Sequence, residues 1–336
     1  MKVYAPGKLI LSGEHAVVYG MPALAMAVNR YVCATASSQL LPLVSFDLSD
    51  FAYESGLTFT ALNRLKNRIK QKYKKFISGD FKIRDVLQKP AELAQFAITL
   101  FLENFNLKLI NGVKIKVHSD IPIGCGMGSS AATILSIVHA IAKHLEIELT
   151  PEIFYRLGIQ AENMQHGHSS GLDLRVSMHG GCHLLKDGQL HARAIPSFPL
   201  YLVNTGTPLS STGECVEKVA SLFKHSNIWQ EFGDITQQMD RALEQNNLSE
   251  MIASIRANQR LLNSIGIVPE KVGRFVNEVE QLDGGAKICG AGTVAGDKAG
   301  VMLVMLEDAN LLTLLCDRFQ YAILPIEGVA RGVHAV

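Results

Sequence analysis

The stretch Ile121-Pro122-Ile123-Gly124-Cys125-Gly126-Met127-Gly128-Ser129-Ser130-Ala131-Ala132 decides how the rest of this chain is read. Ahead of it, Val113, Ile115 and Val117 alternate with Lys114, Lys116 and His118, the period-two pattern of a half-buried strand, and Thr133 to Leu145 follows with helical periodicity. The stretch is therefore a glycine-rich turn between a strand and the start of a helix. Gly124, Gly126 and Gly128 fall at every second position, which permits positive φ and lets backbone N–H groups converge. Ser129 and Ser130 add hydroxyls where a helix leaves its first donors unpaired. Such a loop is either a tight turn or a seat for an anion, most simply a phosphate. Ala131 and Ala132 favour the second reading, because small side chains at a helix start leave room for a bulky ligand on the amides. The chain contains no Gly-x-x-x-x-Gly-Lys-[Ser/Thr], which excludes the commonest nucleotide loop.

Composition bounds the rest. The 336 residues, 48% hydrophobic and 19% charged, describe an ordinary globular chain with room for two domains. A net charge of +1 supplies no global attraction to nucleic acid or to a membrane surface. Six cysteines, Cys33, Cys125, Cys182, Cys215, Cys289 and Cys316, are scattered without a Cys-x-x-Cys pair, which points to reduced thiols and not to a disulfide framework or a zinc site. Pro6, Gly7, Ser12, Gly13 and Glu14 interrupt any signal-like core, and no apolar run is long enough to span a bilayer. The expected location is the cytoplasm.

Near the N-terminus, Ala5-Pro6-Gly7-Lys8-Leu9-Ile10-Leu11 leads into Ser12-Gly13-Glu14-His15-Ala16-Val17-Val18-Tyr19-Gly20. Pro6-Gly7 reads as a turn and the apolar run after it as a short strand. Lys8 fits a strand edge with its ammonium in water, and Glu14-His15 fits a solvated turn; burial of either would demand partners. Further on, Phe59, Leu62, Leu65, Ile69, Tyr73 and Phe76 define an amphipathic helix whose other face carries Arg64, Lys66, Arg68, Lys70, Lys72, Lys74 and Lys75. A solvated basic face is expected there, since no interleaved aromatics or recognised module indicate nucleic acid. Pro90 opens a further helical stretch, Ala91 to Asn104.

After the central loop, Thr150 caps a helix with Pro151 at its first position, Ile153, Phe154, Leu157, Ala161 and Met164 form its buried stripe, and Gly167 ends it. Glu162 lies in the last turns, where the helix dipole disfavours a carboxylate; it is either solvent-exposed or held by a cation. His166-Gly167-His168-Ser169-Ser170-Gly171-Leu172-Asp173 lacks further ligands at zinc-site spacing. The remainder reads as a hairpin from His183 to Ile195, a strand from Leu200 to Asn204, helices from Glu214 to Asp283, strands at Lys287 to Cys289 and Val301 to Leu306, a helix at Leu311 to Tyr321 and a strand near Ile323. This α+β order divides the chain into domains 1–196 and 197–336. Gly290-Ala291-Gly292-Thr293-Val294-Ala295 matches a dinucleotide fingerprint, with Glu307 and Asp308 near the ribose-binding offset, but only about forty residues follow, too few for that fold.

The central stretch resembles the second motif of the GHMP small-molecule kinases, Pro-x-x-x-Gly-Leu-Gly-Ser-Ser-Ala. Pro6-Gly7-Lys8 with Gly13-Glu14-His15-Ala16-Val17-Val18-Tyr19-Gly20 is similar to their first motif in the form found in mevalonate-phosphorylating members. Glu162 to Asp173 repeats the family's interval from an acid to His-Gly-x-x-Ser-Gly-x-Asp, and Lys287-Ile288-Cys289-Gly290-Ala291-Gly292 resembles the first half of the third motif. The second half departs, Thr293-Val294-Ala295-Gly296-Asp297 replacing a glycine run, and Thr207-Pro208-Leu209 lacks an arginine that some relatives carry after the proline. The resemblance implies an N-terminal ribosomal S5 domain 2-like domain and a C-terminal ferredoxin-like domain, with nucleotide and substrate between them. It implies ATP on Gly124, Cys125, Gly126, Met127, Gly128, Ser129 and Ser130, and Mg2+ on Ser130 and Glu162. Asp173 would act as catalytic acid-base group with Lys8 beside it, and Glu14, His15 and Ser170 would meet the substrate, mevalonate or alternatively phosphomevalonate. It also allows a homodimer, and a nucleotide-sensing relative without catalysis remains as the non-enzymatic alternative.

Overall fold

The computed structural model describes residues 1–48, 50, 53–107, 111–122 and 124–336; Ile123, within the quoted stretch, lies outside them. The long strand β2 (Ala23–Gln39) is the spine of the first sheet, pairing antiparallel with β1 (Lys2–Ser12) on one side. β3 (Val44–Leu48) and β4 (Tyr53–Leu57) form a hairpin, followed by α1 (Phe59–Ile77), α2 (Glu92–Asn104) and β5 (Gly112–Ser119). β5 pairs antiparallel with β2 and parallel with β3. Then come α3 (Ser129–His144), α4 (Pro151–His166), α5 (Leu172–His179) and the hairpin β6 (Cys182–Lys186) and β7 (Gln189–Arg193), which attaches through β6 to β2. The second unit comprises β8 (Tyr201–Asn204), α6 (Thr212–Phe223), α7 (Ile228–Glu244), α8 (Leu248–Ser264), α9 (Glu270–Gln281), β9 (Gly285–Ile288), β10 (Val301–Met305), α10 (Ala309–Phe319) and β11 (Ala322–Pro325). Its four strands run β11-β8-β10-β9, antiparallel throughout, as a ferredoxin-like sheet requires.

Helix α3 lies on β1 and β2, and its first turns do so closely because Ala131 and Ala132 are fully buried alanines. Ile134, Leu135, Ile137 and Ile141 continue that buried face. The helix begins at Ser129, four residues ahead of where apolar periodicity places it, since its first turn is made of small residues, two serines and two alanines. Thr150 caps α4 as expected, its hydroxyl accepting the N–H of Ile153 at 3.3 Å.

Three expectations are corrected. Pro6-Gly7 is not a turn but a bulge inside β1, where the register with β2 shifts. A side chain at Gly7 would place a Cβ 3.0 Å from the Met127 carbonyl oxygen, so the bulge exists where β1 must let the glycine loop approach. The basic face of α1 is not simply solvated: Lys66 is buried and pairs with Glu103 at 2.8 Å, Arg68 pairs with Glu92 at 2.8 Å, and Lys70 reaches Glu103 at 3.3 Å. The acids missing from α1 stand on α2. Finally, the end of the chain leaves the second unit: β12 (His334–Ala335) pairs antiparallel with β1, and the Val28–Gly328 bridge and the Gly181 N–H to Val329 carbonyl bond tie the approach to it into the first sheet. Residues 326–336 thus complete the N-terminal sheet instead of lying wholly within a unit 197–336.

Candidate active site

The glycine loop is anchored at Cys125 and Met127, with Gly124 exposed, Gly126 half-buried and Gly128 buried against Lys8. Cys125 and Met127 are buried in the core, whereas Gly124, Gly126 and Gly128 adopt φ of 71°, 83° and 72°. Only glycine takes that conformation without strain, and such alternation is the backbone arrangement that can turn successive amides towards an anion. The loop runs directly into the N-terminus of α3, where Ser129 and Ser130 are half-buried.

The bulge in β1 delivers Lys8 to this loop. Its backbone N–H donates to the Met127 carbonyl at 2.9 Å and its Nζ donates to the Gly126 carbonyl at 3.0 Å. The same Nζ lies 3.2 Å from Oδ1 of Asp173, in the first turn of α5. Lys8 is 3% exposed, so the alternative of an ammonium in water at a strand edge does not hold. Gly128 has room for nothing larger: a Cβ there would sit 2.9 Å from Cγ of Lys8.

Glu162 and His166, one helical turn apart on α4, converge on Ser130. The Ser130 hydroxyl donates to Oε1 of Glu162 at 3.3 Å and lies 3.1 Å from Nε2 of His166, while the Ser169 hydroxyl donates to Oε2 of Glu162 at 3.0 Å. Glu162 is 1% exposed; burial, with Asp173 nearby, pushes its carboxyl up to about 8. Burial lowers the His166 pKa, opposed by Asp173. A buried carboxyl beside a second carboxylate, in hydrogen-bond contact with a hydroxyl, is a donor set that fits a small hard cation, which would restore its ionised form. Among the described residues no group of three or more His, Cys, Asp or Glu could hold a metal.

The turn after β1 is also buried, with Glu14 and His15 at 1% and 7% exposure. Oε1 of Glu14 is bound by Nζ of Lys287, on β9 of the second unit, and not by the His15 ring, and its Oε2 has no partner among the described residues. Burial raises the Glu14 pKa, with Lys287 opposing. Lys287 is itself fully buried and also donates to the carbonyls of Ile10 at 3.3 Å and Ile288 at 2.9 Å. His15 holds a left-handed φ of 59°, its Nε2 lies 3.2 Å from the Ala291 carbonyl, and burial lowers its pKa to about 4, so the ring is neutral near pH 7. Ser170 is exposed on the loop before α5, its hydroxyl oxygen accepting the Leu172 N–H at 3.3 Å.

The third glycine segment closes on the first loop backbone to backbone. A Cβ at Gly126 would lie 2.7 Å from the Cys289 carbonyl oxygen, and one at Gly290 would lie 2.9 Å from Cα of Gly126. The half that resembles the family motif is therefore at the site. The divergent half folds back on its own unit, Thr293 bonding to Ser210 and Ala295, and Gly296 facing Leu209. Sequence reasoning gave Lys287 and His166 no role. The signals were a lysine inside a short apolar strand and a histidine four residues after Glu162.

A family profile described as GHMP kinases N terminal domain matches residues 92–181. The mevalonate kinase of Archaeoglobus fulgidus is 30% identical over 290 residues, covering 86% of this chain and 88% of that protein. The chain belongs to the GHMP kinase family. The mevalonate kinase of Pyrococcus furiosus is likewise 30% identical over 309 residues, 87% of each chain. The crystal structure of the Methanococcus jannaschii mevalonate kinase superposes with a TM-score of 0.79 at 24% identity, over 98% of each chain, and supports the expected two-unit α+β fold. Among the described residues no helix is long and apolar enough to cross a membrane.

Proposed function

We propose that this protein is an ATP-dependent mevalonate kinase, transferring the γ-phosphoryl group to the 5-hydroxyl of mevalonate to give 5-phosphomevalonate. The observation that carries the reading is the Lys8–Asp173 pair at 3.2 Å, seated against a glycine loop at a helix N-terminus. Phosphoryl transfer proceeds through a loose transition state whose charge resides on oxygens, so positioning and charge neutralisation are the main demands. Amides of Gly124 to Ser130 cradle the phosphates. Asp173 accepts the proton of the acceptor hydroxyl, and Lys8, anchored to the Gly126 carbonyl, stabilises the oxygen as it loses that proton. Ser130 and Glu162 are the residues that would hold Mg2+, which when bound neutralises phosphate charge.

The pairing of the cations favours mevalonate over phosphomevalonate. Lys8 is matched by Asp173, Lys287 by Glu14, and His15 is neutral, so none of the three offers an uncompensated charge to an acceptor that already carries phosphate. The backbone near Ser169 and Ser170 is the proposed partner of the substrate carboxylate, with Glu14 and His15 lining the pocket. The chain is inferred to work in the cytoplasm, and light scattering tests whether it does so as a homodimer. The decisive assay couples ADP release to a reporter across mevalonate, phosphomevalonate, homoserine and galactose. The highest kcat/KM is expected with mevalonate; a higher value with any other acceptor overturns the substrate assignment.

A further inference from the structure

We infer that His166 is a positioning residue for the cation site, acting through the Ser130 hydroxyl. Ser130 has one proton and two lone pairs. Its proton is directed to Oε1 of Glu162 at 3.3 Å, and Nε2 of His166 stands 3.1 Å from the same oxygen. When Glu162 is ionised it can only accept, so the Ser130 proton goes to it and His166 must be the donor, which fixes the Nε2–H tautomer. One lone pair of Ser130 then remains for a cation, and the hydroxyl can no longer rotate away.

The fold makes this arrangement from two elements. Glu162 and His166 share one face of α4, four residues apart, and Ser130 projects from the first turn of α3, which packs against α4. Gly167 stops α4 immediately after His166, and its carbonyl is bound by the Tyr73 hydroxyl at 2.7 Å. The Phe76 ring packs so closely that a Cβ at Gly167 would lie 2.8 Å from it. The backbone carrying the imidazole is therefore clamped from α1 on its far side. Glu162 is held from the other oxygen by Ser169 at 3.0 Å, so both of the side chains that would meet the cation are oriented by neighbours that need not touch it. A direct Mg2+–imidazole bond is disfavoured, because that ion takes hard oxygen ligands.

The inference rests on the kinase reading only for the source of the companion phosphates. The test uses His166→Leu, which removes the donor, and His166→Gln, whose amide nitrogen can reach the position of Nε2. Mn2+ binding is measured by electron paramagnetic resonance with a non-hydrolysable ATP analogue, beside the Mg2+ dependence of turnover and the melting temperature. His166→Leu is expected to weaken Mn2+ about tenfold or more and to raise half-saturating Mg2+ by a similar factor, with His166→Gln within about threefold of wild type on both. Unchanged Mn2+ affinity in His166→Leu overturns the inference, as does a glutamine variant that fails as fully as the leucine one. Wild type that binds Mn2+ with the analogue yet phosphorylates no mevalonate would overturn the substrate reading and leave this one standing.

Discussion

Replacing Lys287 with methionine probes the seam between the two units. The two side chains are similar in length and the site is fully buried, so the main change is electrical: the Glu14 carboxylate is left in the interior without its partner. Removing one member of a buried pair costs about 3–5 kcal/mol. Unfolding entropy of about 2.1 cal/mol/K per residue makes about 0.7 kcal/mol/K for the 336-residue chain unfolding as one unit, so the melting temperature should fall by about 4–7 °C. Scanning calorimetry of Lys287→Met, Glu14→Gln and the double variant measures it. The double variant removes both charges and should recover most of the loss, giving a coupling of about 2 kcal/mol or more between the two sites. Single variants that melt within about 1 °C of wild type, or a double variant whose loss is the sum of the singles, would refute the claim that this pair fastens β9 to the turn after β1.

Asp173→Asn should keep less than about a tenth of wild-type kcat while binding nucleotide normally; a variant with more residual turnover removes Asp173 from the role of base. Glu162 carries its own pH signature. Its carboxyl rises from 4.5 to about 8 on folding, so in the absence of a cation its contribution to stability is fully present below about 4.5 and is lost as pH rises through about 8. The melting temperature of metal-free wild type should therefore drop across that window relative to Glu162→Gln, and Mg2+ with a nucleotide analogue should remove the difference; parallel profiles would contradict it. Gly126→Ala puts a Cβ 2.7 Å from the Cys289 carbonyl at a φ of 83°, which should cost about 1–3 kcal/mol of stability and raise the KM for ATP. Wild-type melting and KM in that variant would mean that the two loops do not interlock.

Much of this arrangement was legible because it is local. The alternation of Val113, Ile115 and Val117, the glycines of the loop and the Thr150-Pro151 helix start each specify their own backbone, and β5, the loop and α4 appear where those patterns place them. The burial of Lys8 was not legible from its neighbours, since its partners are the Gly126 carbonyl and Asp173, more than a hundred residues away. Long-range pairing also hid the ion pairs of α1, whose acids sit on α2, and the contact of Glu14 with Lys287. Pro6-Gly7 misled because a bulge and a turn use the same residues, and only the nearby Met127 carbonyl distinguishes them. β12 is two residues long and carries no periodicity to detect.

That short strand sets a schedule for the whole molecule. Val3 and Ala335 are partners, and Tyr4 and His334, so this stretch of the outer edge of β1 stays open until residues more than three hundred positions further along are made. At synthesis rates of about 5–20 residues per second, the N-terminal strand waits roughly 20–60 s for its neighbour. Throughout that interval it exposes a row of unpaired N–H and C=O groups, the template on which other strands add. On a polysome, the nearest such strands belong to sibling chains displaying the identical edge. Guarding that stretch of β1 during translation is thus a kinetic requirement of this topology, and deleting His334 and Ala335 would leave Val3 and Tyr4 exposed permanently.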